Sequence, residues 1–171
     1  MPGLQAPGGA GSLSGAGVYP ALLGVAAVVV ALDQITKSVA LRALADGPVE
    51  LVPGALTLRL TFNSGGAFGF LQGLPGLFLV LSLVVAGLIL VWARRIEERG
   101  WGVALGLILG GGLGNVFDRV FRDTGGRVVD FVDVHVWPVF NLADSAIVIG
   151  VVTVFVLSAR TPSAPATPTS T

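Results

Sequence analysis

The chain has 171 residues, of which 53% are apolar and only 12% charged, and its mean hydropathy is +0.86. A soluble domain carries about a quarter charged residues, so these charges are too few to solvate a surface, and lipid replaces water over much of it. Ten basic residues balance ten acidic ones, which argues against a nucleic-acid partner. The absence of cysteine excludes disulfides, a thiolate nucleophile and a Cys-based metal site, and the lone His135 cannot hold a metal by itself.

Residues 1–17 are uncharged and mostly Gly, Ala, Ser and Pro, the composition of a flexible leader. They lack the positive n-region of a cleavable signal peptide, so the apolar stretch that follows reads as a retained helix. That first stretch runs from about 18 to 41 and contains Asp33 and Lys37. Residues 48–70 come next, with Leu56, Leu58 and Leu60 alternating with Thr57, Arg59 and Thr61. This period of two after Pro-Gly predicts a strand or hairpin half-buried at the interface. The second apolar stretch, 74–93, has no charge, and residues 94–100 (RRIEERG) form a tight charged turn. The third, 101–117, is short and Gly-rich. A charged connection then leads into the alternating run VVDFVDVHV, and the fourth stretch, 136–159, carries Asp144. Residues 160–171 form a Pro/Ser/Thr tail, read as disordered.

Crossing a bilayer takes roughly 20 residues, with about 17 as a lower limit. The pattern therefore predicts an all-α membrane protein with four transmembrane helices and one small sheet or hairpin. Three crossings plus a buried half-helix is the alternative. Four crossings put both termini on one side. Basic residues gather at two opposing turns, Arg94, Arg95 and Arg99 against Arg119, Arg122 and Arg127, so the positive-inside rule leaves the orientation open.

Charged side chains within a membrane segment cost about 2.5–3.5 kcal/mol on insertion scales and persist where they pair or work. Asp33 and Lys37, four apart on one helix face, read as a structural ion pair or a substrate-facing one. Gly110, Gly111, Gly112 and Gly114 let another helix approach closely. Asn115 and Asp118, three apart, share a face beside Arg119, which reads as a packing seam with a helix-end ion pair, though Asn115 fits that less well. Asn141 and Asp144 repeat the spacing of three, flanked by the small Ala143 and Ser145. Asp130 alone could be a solvated loop acid. Beside Asp144 it makes a carboxyl pair that cannot both ionise cheaply. One member then takes a proton from water while the other donates to the peptide, the arrangement of an aspartic protease.

Five blocks carry a resemblance: Asp33-Gln34-Ile35-Thr36-Lys37, Asn63-Ser64-Gly65-Gly66-Ala67-Phe68, Gly111-Gly112-Leu113-Gly114-Asn115-Val116-Phe117-Asp118-Arg119, Val129-Asp130-Phe131 and Phe140-Asn141-Leu142-Ala143-Asp144. In this order they resemble the signatures of the bacterial lipoprotein signal peptidases, the signal peptidase II family. The resemblance implies four helices in the bacterial inner membrane, both termini cytoplasmic, an extracytoplasmic sheet, and a site near the extracytoplasmic face. It implies cleavage of a diacylglyceryl-modified prolipoprotein just before its lipidated cysteine, among membrane lipids, with no cofactor or metal. A monomer is expected, since a single chain contains every signature residue. It assigns Asp130 and Asp144 as the catalytic pair. Asn63, Asn115, Arg119 and Asn141 hold substrate or order the site, with Asp33, Lys37, Asp118, Gly111, Gly114 and Ala143 in support. Asp118 is the rival second acid, set aside because Arg119 next to it would hold it ionised. The stretch between Arg119 and Asp130 is longer than is usual in the family, and that from His135 to Phe140 is shorter.

Two other function classes fit the same residues. An intramembrane proton or ion relay would use Asp33, Lys37, Asp118 and Asp144 but leaves Asn63, Asn115 and Asn141 without a purpose. A purely structural membrane protein would lose stability or partner binding, not catalysis, when its acids become amides.

Overall fold

The computed structural model describes residues 17–65, 75–96 and 98–160. Residues 1–16 of the leader, 161–171 of the tail, and Gly66, Ala67 and Phe68 of the second block lie outside the described residues.

Among the described residues, four helices are long and apolar enough to cross a bilayer: α1 (Val18–Ala43), α2 (Pro75–Ala93), α3 (Arg99–Phe121) and α4 (Leu142–Arg160). The short third stretch is thus a full crossing, because the helix continues through the polar Asn115–Arg119 segment that an apolar count leaves out. The fourth helix starts at Leu142 and not near 136. Pro138 interrupts the apolar run Val136–Phe140, and Phe140 pairs with Val132, its amide donating to the Val132 carbonyl at 3.0 Å. Asp144 therefore lies in the first helical turn rather than deeper in the span.

Three strands gather at one end of the bundle: β1 (Val49–Val52), β2 (Leu56–Asn63) and β3 (Val128–Asp133), antiparallel in the order β1-β2-β3. The hairpin β1–β2 turns through Gly54 at φ +69°, whose amide donates to Glu50 Oε1 at 2.8 Å. The third strand comes from the VVDFVD run, which pairs Thr61 with Asp130 and Asn63 with Val128. The long connection into β3 is closed by Gly125 and Gly126, both at positive φ, and by Arg127 Nε donating to the Thr124 carbonyl at 2.8 Å. These devices deliver Asp130 to the mouth of the bundle.

α3 is the central helix, and glycines make it so. A Cβ on Gly102, Gly106 or Gly110 would lie 2.7–2.8 Å from the carbonyl oxygens of Val18, Leu22 and Ala26 on α1. A Cβ on Gly111 would collide with the Ala143 carbonyl of α4, and one on Gly150 of α4 would lie 2.8 Å from the Ala104 carbonyl. Lipid supplies little hydrophobic drive between helices, so such close backbone approach carries much of the packing. The buried stripe of α1 (Val18, Leu22, Ala26, Val29, Asp33, Lys37, Ala40) faces this seam along its whole length. Away from the sheet the stripe packs with Ile89, Ala93, Leu105 and Leu109 in an apolar cluster. Toward the sheet it becomes ionic.

Candidate active site

Lys37 sits at the centre of that ionic end, and it, Asp33 and Asp118 are all 0% exposed. Its Nζ lies 2.8 Å from Asp33 Oδ2 and 2.9 Å from Asp118 Oδ2, and donates to Asn115 Oδ1 at 2.9 Å. Its three donors are thereby all engaged. Gly114 makes room for this cluster, since a Cβ there would lie 2.6 Å from Asp33 Oδ2. Asp118 Oδ1 also receives Arg122 Nε at 2.9 Å and Gln34 Nε2 at 3.2 Å. The partners that keep Asp118 engaged are therefore Lys37 and Arg122, not Arg119 as the sequence order implied: a residue four along a helix lies on the same face, whereas the adjacent one points elsewhere.

Each arm of the cluster ends on a segment that carries an acid of the pair. Asp33 Oδ1 accepts the Ala143 amide at 3.1 Å, one residue before Asp144. Asp118 Oδ2 accepts the Val129 amide at 3.0 Å, one residue before Asp130. Asn115 Nδ2 donates to Asp144 Oδ1 at 2.9 Å. An ammonium on α1 thus orients both acids, each through one intermediary.

Asn141 joins the two acids directly. Its Nδ2 donates to Asp130 Oδ1 at 2.7 Å and to Asn115 Oδ1 at 3.1 Å. Its Oδ1 accepts the Asp144 amide at 2.9 Å, while Asp144 Oδ2 accepts the Asn141 amide at 3.2 Å. This reciprocal pair is a capping box that starts α4. Asn63 Nδ2 donates to the other Asp130 oxygen at 3.1 Å, and Asn63 Oδ1 accepts the Gly65 amide at 3.0 Å. Burial, with the Asp144 carboxyl beside it, pushes the Asp130 carboxyl up to about 7 against the lowering pull of Asn63 and Asn141.

Both acids line a cleft of about 670 Å³ together with Asn63, Asn115, Arg119, Phe78, Trp137 and Phe140. Arg119 donates through Nη1 to the Asn115 carbonyl at 3.3 Å and lies 5.9 Å from the Phe78 ring centroid. Its buried Nε has no hydrogen-bond partner among the described residues. A buried donor without a partner is costly, and a bound carbonyl would relieve it. No group of three His, Cys, Asp or Glu among the described residues is placed to hold a metal ion.

A family model described as signal peptidase (SPase) II matches residues 25–160, which take in all five sequence blocks and both acids. The chain belongs to the signal peptidase II family. The peptidase is 44% identical over 144 residues to the lipoprotein signal peptidase of Mycobacterium avium (strain 104), covering 80% of this chain and 78% of that one. It is 43% identical over 139 residues to that of Rhodococcus jostii (strain RHA1), covering 78% and 70%. Two solved structures, both described as bacterial membrane enzymes, superpose with TM-scores of 0.73 and 0.70 at 29% and 28% identity. They cover 82% of this chain and 88% and 94% of theirs. The peptidase is a multi-pass membrane protein with a three-stranded antiparallel sheet at one end of its four helices.

The structure brings Asp130, Asp144, Asn63, Asn115, Arg119 and Asn141 to one cleft or its wall, and sets Asp33, Lys37, Asp118, Gly111, Gly114 and Ala143 behind it. Sequence reasoning gave no role to Gln34, which links Asp33, the Gly114 carbonyl and Asp118 and accepts from Arg122 Nη2 at 2.7 Å. Its place between Asp33 and Lys37, within a membrane span, was the available signal. Arg59, Asp133, Thr57 and His135 form a further polar set on the sheet, with Arg59 Nε 2.6 Å from Asp133 Oδ2. The His135 amide and Arg59 hold the Asp133 carboxyl below its usual range.

Proposed function

We propose that the chain removes the signal peptide from diacylglyceryl-modified prolipoproteins just before the lipidated cysteine, with Asp130 and Asp144 activating water. The observation that carries this reading is the pair of carboxyls bridged by Asn141 at the wall of one cleft, at the sheet end of the bundle. The names of the relatives, lipoprotein signal peptidases, supply the substrate class.

With Asp130 pushed up to about 7, that carboxyl keeps its proton up to near-neutral pH and can serve as the acid of the pair. Asp144 takes a proton from the attacking water while Asp130 gives its own to the scissile carbonyl. As the diol collapses, Asp144 passes the water's proton to the leaving amine and Asp130 takes one back from the diol hydroxyl. Arg119 Nε donates to a substrate carbonyl, and Asn63 and Asn141 fix the Asp130 carboxyl. The sheet end faces the extracytoplasmic side of the bacterial inner membrane, with both termini cytoplasmic. There a lipid-anchored scissile bond meets acids at the membrane surface. The chain acts as a monomer, because one copy contains the whole set. The relay alternative is weakened, since Asp33, Lys37 and Asp118 close on one another as an ion cluster and only Asp144 of its four members reaches the cleft.

The test is cleavage of a purified diacylglyceryl-modified prolipoprotein in liposomes, beside Asp118→Asn, Asp130→Asn and Asp144→Asn. Signal-peptide release lost in the last two by at least about a hundredfold, the low end for a general acid or base, and retained in part by the first supports the pair. Full activity in Asp130→Asn, or no cleavage by folded wild type, overturns it.

A further inference from the structure

A second cavity of about 200 Å³ lies between α2 on one side and α3 and α4 on the other. Ser82, Gly112 and Ile147 line both this cavity and the dyad cleft, so the polar cleft opens directly into it. Apart from Ser82 its walls are apolar, among them Val85, Ile89 and Ile108. The space follows from uneven packing. α3 meets α1 and α4 through glycines, whereas α2 closes on α3 around Ile89 and Ala93 and barely touches α4.

Two adjacent glycines show the contrast. A Cβ on Gly111 would run into α4, whereas a Cβ on Gly112 would have nothing within 4 Å. Helix packing therefore does not require glycine at 112. Gly112 lies three residues from Asn115, and Ile147 three from Asp144, roughly 4.5 Å of helical rise in each case. From Ser82 to the floor at Ile89 the groove descends roughly 10 Å along α2, deeper than a peptide side chain reaches.

We propose that this groove takes one acyl chain of the substrate's lipid-modified residue, and that Gly112 sets which chains enter. The inference rests on the peptidase reading above. A hydrocarbon chain borne next to the scissile bond must leave the cleft close to the dyad, and this apolar opening lies one helical turn away. Bulk lipid has no such tether and gains nothing from this position.

The experiment compares one prolipoprotein peptide carrying either a dipalmitoylglyceryl or a dibutanoylglyceryl cysteine, cleaved by wild type, Gly112→Ala and Gly112→Leu. Gly87→Leu, on the exposed face of α2 with open space around it, serves as the control for added bulk. Wild type favours the long-chain substrate. Gly112→Leu lowers the long-to-short ratio of kcat/KM by about tenfold or more, the equivalent of about two methylenes no longer buried. The loss falls mainly in KM, Gly112→Ala lies between, and Gly87→Leu keeps the wild-type ratio. An unchanged ratio in folded Gly112→Leu overturns the groove while leaving the peptidase standing, and Gly112→Ala provides the same reading if the leucine variant fails to fold. Wild type that cleaves neither substrate overturns the peptidase reading itself.

Discussion

Replacing Asp130 by Asn should stabilise the protein, and by more at high pH than at low. The Asp130 carboxyl moves from an ordinary value of 3.8 to about 7 on folding, because the site is buried and Asp144 stands beside it. A raised acid favours folding while protonated, so its contribution is fully present below 3.8 and is lost as pH rises toward 7. Asn mimics the protonated form at every pH. Between about pH 5 and pH 8 the wild type therefore loses about 2.5 kcal/mol that the variant keeps. At about 2–4 °C per kcal/mol for a chain of this size, the gap in Tm widens by about 5–10 °C. Any hydrogen bond that Asn63 or Asn141 loses to the new amide is independent of pH and drops out of the difference. Thermal melts in detergent at both pH values, followed by the fluorescence of Trp92, Trp101 and Trp137, give the measurement. A gap equal at the two pH values would refute a buried, proton-keeping Asp130, and a gap that widens toward acid would reverse its sign.

The same proton sets an alkaline limit on catalysis: kcat falls as pH rises through about 7, where Asp130 loses the proton it donates. A flat kcat from about pH 6 to 9 would remove Asp130 from that role. Gly111→Ala should cost about 1–3 kcal/mol in thermal unfolding, because its Cβ meets the Ala143 backbone, whereas Gly112→Ala should cost nothing measurable. Lys37→Gln leaves Asp33 and Asp118 facing each other in a fully buried site and should destabilise by about 3–5 kcal/mol. In the fraction that folds, kcat should fall with KM unchanged. Lys37→Arg, which keeps the charge but not three converging donors, should not restore the rate, and full activity in that variant would sink the clamp.

The crossings were legible because lipid demands long apolar runs, and the third was undervalued only where polar residues serve the site. The apolar count also drew α4 six residues too early. Val136–Phe140 is hydrophobic, but Pro138 and the Asn141–Asp144 capping box decide where a helix begins. The hairpin showed itself through its alternation. The strand at 128–133 did not, because a six-residue apolar alternation gains its partner only from β2, far away in sequence. At the site, the spacing of three in Asn115–Asp118 and Asn141–Asp144 put polar neighbours on common faces. What spacing could not show was that Lys37 meets Asp118 across the α1–α3 seam, or that Arg122 and not Arg119 is the arginine Asp118 holds.

The capping box has a consequence for biogenesis. Asn141 and Asp144 start α4, and the same bonds hold one of the two acids proposed to react. Asp130 takes its orientation from Asn141, and Lys37, on α1, reaches both acids through Asp33, Asn115 and Asp118. Until α4 has joined α1 and α3 the proposed pair is therefore unassembled, and docking that helix completes fold and blade in one step. A protease built this way, sharing its membrane with newly made proteins, would stay harmless while its own helices are still assembling.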